Sequence, residues 1–152
     1  MKALSIHPYF AMAIAEGGKS IECRSWKTDY RGDLLICSTN KLYKGTIPAH
    51  ALCIVELYDV VPFEKKHLKA ALLKPADYAP GLYAWKLRNN RIIKPVPVKG
   101  KLSLWDYNGD LEIIPNDILG YVPLDELPPE EETDEPPTHA QWFVENWEPL
   151  MT

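Results

Sequence analysis

Lys19, Glu22 and Arg24 are the residues of this 152-residue chain best placed to do chemistry. In a strand, alternation puts Glu22, Arg24 and Trp26 on one face and Ile21, Cys23 and Ser25 on the other. The second set is small or apolar and suits a core. The first sets a carboxylate beside a guanidinium and an indole, with Lys19 at the mouth of the strand. Two neighbouring cations hold a carboxylate ionised and restrict its rotamers. In a dry cleft such a group binds a polar planar ligand, the guanidinium fork donating and the carboxylate accepting from an amino group. The same group can do acid–base chemistry, with Glu22 or Glu56 as base and Lys19 polarising a carbonyl or phosphate. A cross-strand surface ion pair with no ligand also fits the pattern.

Aromatic residues bear on that choice. Trp26, Tyr83, Trp85 and Trp105 fall near this group or near strand ends, and Lys99 and Lys101 precede Trp105. Flat rings beside positive charge are what base stacking uses, and lysines are suited to phosphate. Charge is divided unevenly along the chain. Residues 1–124 hold 17 basic and 12 acidic side chains, whereas residues 125–152 hold 9 acidic and no basic ones. A basic body with an acidic tail fits a body that meets an anion.

Several chemistries find no support. Gly18-Lys19-Ser20 resembles the end of a phosphate-binding loop, but Ala13 stands where the first glycine is required, and the expected strand and helix are in reverse order. His7, His50, His67 and His139 are isolated, and Cys23, Cys37 and Cys53 form no Cys-x-x-Cys pair, so neither a metal nor another cofactor is expected. No Gly-x-Ser-x-Gly elbow is present. No apolar run is long enough to cross a membrane, and Pro8 interrupts the N-terminus too early for a signal core, so the expected location is cytoplasmic.

The elements that must position these residues are short. Ala3–Ile6 reads as an opening strand, followed by a helix starting at His7-Pro8-Tyr9, with a stripe of Phe10, Ala13 and Ile14, that Gly17-Gly18 stops. A strand over Ser20–Trp26, a turn from Asp29 to Gly32 and a buried strand over Asp33–Ser38 come next. After a loop holding Gly45 and Pro48, Ala51–Val61 gives the longest strand signal. Glu64–Leu73 is expected as a short helix with Leu68, Leu72 and Leu73 on its apolar side. Leu82–Leu87 and Arg91–Val98 read as two strands joined by a hairpin at Arg88-Asn89-Asn90. A loop from Lys99 to Trp105 and a helical turn over Pro115–Leu119 complete the body. Strands outnumber helices, and their spacing predicts a mainly β, α+β domain built as a small closed or nearly closed barrel over residues 1–124. Residues 125–137 are expected as an acidic, proline-rich linker, and 138–152 as a helix anchored by Trp142, Phe143 and Trp147 on the barrel or a protein partner.

Leu4-Ser5-Ile6-His7-Pro8-Tyr9, then Gly17-Gly18-Lys19-Ser20-Ile21-Glu22-Cys23-Arg24-Ser25-Trp26, then Tyr30-Arg31-Gly32-Asp33-Leu34-Leu35-Ile36 resembles the ASCH domain family of the PUA-like superfamily. Tyr83-Ala84-Trp85 and Pro95 to Trp105 resemble its closing strands. The resemblance implies a barrel with a cleft lined by Lys19, Glu22 and Arg24, and a module that binds RNA or a nucleotide or acts as a coactivator. It also implies two possible hydrolytic activities, on N4-acetylcytidine or on RNA. In the amidohydrolase branch a lysine matches Lys19, a threonine stands where this chain has Glu22, and a further glutamate lies in the region of Glu64. The expected ligand-binding set is Lys19, Glu22, Arg24, Trp26, Arg31, Trp85, Lys99, Lys101 and Trp105, and the expected catalytic set of an enzyme is Lys19, Glu22 and Glu56.

Overall fold

The computed structural model describes residues 1–115. The expected turn after Pro115, the acidic linker, the final helix and the boundary at residue 124 lie outside the described residues. Among the described residues six strands form one sheet: β1 (Lys2–Ile6), β2 (Ile21–Arg24), β3 (Gly32–Ser38), β4 (His50–Pro62), β5 (Tyr83–Pro97) and β6 (Trp105–Asp106), in the order β2-β5-β4-β3-β1-β6. Among the described residues only β1 and β3 run parallel. The sheet is open, since β2 and β6 at its two ends do not pair with each other among the described residues. The free edge of the second half of β5 is covered instead by the segment around Ile113, with Lys94 N–H donating to Glu112 O at 2.8 Å and Ile114 N–H to Ile92 O at 2.8 Å. Such cover removes a row of unpaired backbone groups that would otherwise template aggregation.

One helix, α1 (Pro8–Ala15), packs on the sheet. Pro8 sits where its missing N–H costs nothing, and the His7 ring accepts from Tyr9 N–H at 3.1 Å. The helix ends in a paired backbone motif: Gly17 N–H donates to Ile14 O and Gly18 N–H to Ala13 O, with Gly17 at φ 89°. Ala11, Ala13 and Ala15 are small enough to bring the helix close, so it is buried on nearly all sides rather than along one stripe. Leu4, Ile6, Leu34, Ile36, Val55, Leu57 and Trp85 form the core beneath it. Ala3, Leu35, Cys37, Ile54 and Ile93 point the other way, under Val96, Val98, Trp105 and Tyr107. Covered on both faces, β3 reads as a continuous apolar run rather than an alternating one.

Two expectations are corrected. Arg88-Asn89-Asn90 is not a hairpin, because β5 runs through it and pairs with β4 on both sides. Between Ile54/Glu56 and Arg88/Arg91 the register shifts by one residue, and Asn89 takes φ 54°, so the asparagines form a bulge. The bulge frees the side chain of Asn90 to donate to Ala15 O at 3.0 Å, satisfying a carbonyl at the end of α1. Glu64–Leu73 is not an α-helix either. It is a 3-10 turn over Lys65–His67 followed by further turns, and Leu72, at φ 56°, is exposed. The glutamate pins that turn, its backbone N–H donating to the His67 ring at 3.0 Å.

Candidate functional site

The glycine stop after α1 delivers Lys19 into the interior rather than to a strand mouth. Its backbone N–H is still bonded to Ala13 O at 3.1 Å, and its ammonium donates to Ala71 O. Lys19 and Glu22 are only 2% and 6% exposed. Lys19 Nζ lies 3.7 Å from Glu22 Oε1, Arg24 NH1 lies 3.8 Å from Glu22 Oε2, and Cys23 N–H donates to Glu22 Oε1 at 3.1 Å. The Phe10 ring covers Lys19, 4.6 Å from its centroid. Burial pushes the Glu22 carboxyl up against the pull of Lys19 and Arg24. Burial likewise pushes Lys19 down against the pull of Glu22. For both groups the loss of water outweighs the attraction.

Arg24 reaches outward. It lines a cavity of about 510 Å³ with Ser5, Ser38, Thr39 and Asn40 at the ends of β1 and β3, and with Val98–Ser103 of the following loop. In that loop stand Lys99 and Lys101. Arg24 and Ser5 belong to strands four positions apart in the sheet, so sharing one cavity requires the sheet to curl. Gly100 fixes how closely the loop approaches, because a Cβ there would meet Ser5 Oγ at 2.5 Å. Gly100→Val is therefore expected to displace the loop and lower ligand affinity while changing the unfolding midpoint little. Parallel ligand titration and thermal melts check this.

A second cavity of about 110 Å³ is lined by Lys19, Ser20, Arg88 and Asn90, with Ile14, Val55 and Leu87 as its apolar wall. The structure brings Arg24, Lys99 and Lys101 together at the larger cavity, whereas Lys19 lines the smaller and Glu22 lines neither.

The remaining expected residues have definite places. Trp85 is fully buried, its ring 4.7 Å from that of Trp26 at 82°, and its N–H donates to Trp26 O at 3.1 Å. It is a core residue whose faces are taken by protein, which corrects its expected role in ligand stacking. Trp26 is half-buried, with the Arg24 guanidinium 5.6 Å from its centroid. Trp105 pairs with Ala3 and packs against Tyr107, its indole N–H without an acceptor among the described residues. Arg31 ties its own turn together, donating to Thr28 O at 2.8 Å and Tyr30 O at 2.9 Å. Glu64 is exposed and pairs with Lys66 at 3.0 Å.

Glu56 lines neither cavity. It pairs with Arg88 at 2.7 Å on the outside of the sheet. Exposed pairs contribute little. Glu56→Gln is expected to leave both the thermal midpoint and ligand affinity unmoved, as melts and titrations would show.

Residues that the sequence did not single out complete the site. Ser5, Ser38, Thr39, Asn40 and Ser103 supply the polar wall, and their only sequence signal is position at strand ends. Among the described residues no group of His, Cys, Asp and Glu is arranged to hold a metal ion, and no helix is long and apolar enough to cross a membrane.

A curled, mostly antiparallel sheet with one helix and a cavity at its strand ends defines a mainly β, PUA-like α+β module. The family model of the ASCH domain matches residues 4–135, and the chain belongs to the ASCH family. Its fold is similar to the crystal structure of ASCH from Zymomonas mobilis, at TM-score 0.57 and 18% identity over 70% of this chain and 87% of that one. A tyrosine-to-phenylalanine mutant of the same protein matches at TM-score 0.56 and 18% identity, over 70% of this chain and 89% of that one. A serine-to-alanine mutant matches at TM-score 0.57 and 18% identity, over 70% and 87%. No curated protein matches the chain.

Proposed function

We propose that this ASCH module binds RNA or a nucleotide, with a base or modified nucleoside entering the larger cavity and phosphate meeting Lys99 and Lys101. The observation that carries this reading is the convergence of Arg24, Lys99 and Lys101 on one cavity of about 510 Å³. That volume is within the range of small-molecule sites, about 300–1,000 Å³. Arg24 supplies a planar fork suited to a base edge or a phosphate, and the serine, threonine and asparagine side chains supply donors and acceptors. Lys19 and Glu22 act from below: the Glu22 carboxylate faces Arg24 and restricts where the guanidinium points.

Fluorescence anisotropy with a labelled ribo-oligonucleotide tests the proposal. Affinity is expected to fall with salt, and each lysine removed is expected to flatten the log–log slope by about 0.7 if it contacts a phosphate of a single strand. Arg24→Ala is expected to weaken binding about tenfold or more, as loss of a bidentate contact does. Equal affinity in Arg24→Ala and in Lys99→Ala/Lys101→Ala protein would remove the cavity from consideration.

A further inference from the structure

We propose that the cavity takes one nucleotide of a longer single strand, and that the neighbouring base lies on a ledge of rings built by His7, Tyr9 and Tyr43. The inference rests on the nucleotide-binding reading and names its ligand class: single-stranded RNA rather than a free nucleoside.

The ledge joins two distant parts of the sequence, the start of α1 and the loop after β3. His7 lies 5.2 Å from Tyr43 between ring centroids, and Tyr9 lies 5.8 Å from Tyr43. Phe10 underlies them, 6.1 Å from His7 and 5.4 Å from Tyr9. One face of Phe10 is occupied by the Lys19 ammonium, so it supports the ledge rather than presenting it. Tyr43 is 40% exposed and its neighbour Leu42 is 84% exposed.

Position ties the ledge to the cavity. Thr39 and Asn40 line the cavity wall, and the same loop continues through Lys41 and Leu42 to Tyr43. Three residues of chain span at most about 11 Å. A base on Tyr43 is therefore within reach of the nucleotide adjoining one held in the cavity. The chemistry agrees. The His7 Nδ1 accepts from Tyr9 N–H, so the neutral ring carries its proton on Nε2, where it is a donor. Burial first, and then the charge of Lys41, push His7 below its ordinary value, so it stays an uncharged aromatic ring at neutral pH.

Rings of this kind, Tyr43 exposed and His7 and Tyr9 half-buried, also suit a protein partner. The interleaved cations decide against that: lysine is depleted from protein–protein interfaces, whereas aromatic rings alternating with positive charge are the pattern of single-strand tracks. Lys41 and Lys44 flank Leu42 and Tyr43 directly.

The experiment compares a ribonucleoside monophosphate with an octaribonucleotide of mixed sequence, each titrated against wild-type, Tyr43→Ala and Tyr43→Phe protein. Wild type is expected to prefer the octanucleotide. Tyr43→Ala is expected to lose about tenfold or more of that affinity, as alanine substitution at stacking positions does, with mononucleotide affinity unchanged. Tyr43→Phe, which keeps the ring, is expected to match wild type. Because Tyr43 stands on an exposed loop, a circular dichroism melt is expected to be the same for all three. If wild type binds neither ligand, the nucleotide-binding reading itself fails. If it binds the octanucleotide and Tyr43→Ala binds it equally well, the ledge is overturned and the cavity is not. That second result is also what a ledge serving a protein partner would give.

Discussion

Lys19→Met is expected to cost about 3–5 kcal/mol of stability at neutral pH, the range seen when one partner of a buried pair is removed. The ammonium is the donor to Ala71 O and the nearer cation to Glu22. Without it the carbonyl loses its donor, and the buried carboxylate keeps one cation, Arg24 at 3.8 Å, beside the Cys23 N–H. The double variant Lys19→Met/Glu22→Leu removes the stranded carboxylate and is expected to lose less than the two single variants added together. A double-mutant cycle by urea denaturation reads this coupling. Additive losses would show that the two charges do not act as a pair. The pH dependence has a definite sign. Glu22 binds its proton more tightly folded than unfolded, so its contribution is fully present below its ordinary value of 4.5 and is lost as pH rises through the raised value. Relative to Glu22→Gln, wild-type protein is therefore expected to lose ground from acid towards neutral pH. A flat difference between the two over that window would contradict the burial argument.

Trp85→Ala is expected to destabilise by about 3–5 kcal/mol, the range for emptying a buried tryptophan site. The indole is among the largest fully buried side chains and holds Trp26 by ring and by hydrogen bond. Trp85→Phe separates the two contributions: it keeps an aromatic ring but leaves Trp26 O without its donor, which alone costs about 1–3 kcal/mol when buried. Trp26 lies two residues beyond Arg24, the last residue of β2. Trp85→Phe is therefore also expected to weaken ligand binding, whereas a variant remote from β2 of equal instability is not. Equilibrium denaturation and titration on the same samples distinguish these outcomes.

The strands whose apolar runs are long were legible. Leu34 to Cys37 and Ala51 to Val55 could bury nowhere but in a sheet, and the Gly17-Gly18 stop was readable because few other residues end a helix so economically. Local signals misled where a distant partner decided the outcome. Asn89-Asn90 has turn chemistry, but β4 is long enough to pair with both sides of it and the end of α1 needs the Asn90 amide. Leu68, Leu72 and Leu73 have helical spacing, yet the chain meets Lys74-Pro75 at once and breaks into turns. In the site, alternation grouped Glu22 with Arg24, and the two are adjacent in space. It carried no information about which face would be covered. Whether Lys19 is wet or dry depends on Phe10 and Ala71, and no periodicity of the motif reports on either. The cavity wall was hidden for the same reason, since Arg24 on β2 meets Ser5 on β1 and Ser38 on β3 only once the sheet has curled.

The pairing of β1 with β6 has a bearing on how the molecule assembles. Tyr107 N–H and Met1 O are bonded at 2.9 Å, and the Met1 ammonium in turn donates to Tyr107 O, across 106 positions of sequence. β3, β4 and β5, by contrast, follow one another in the chain and pair in sequence order. Closing so long a loop loses chain entropy before any contact compensates it, and topologies rich in distant pairings fold on the slow side of the range. The central three strands are therefore expected to form first and the β1–β6 seam late. The larger cavity draws its walls from β1, β3, the end of β2 and the loop leading into β6, so it is complete only when the two ends of the described chain have met. In a refolding experiment, recovery of ligand binding should lag behind burial of Trp85.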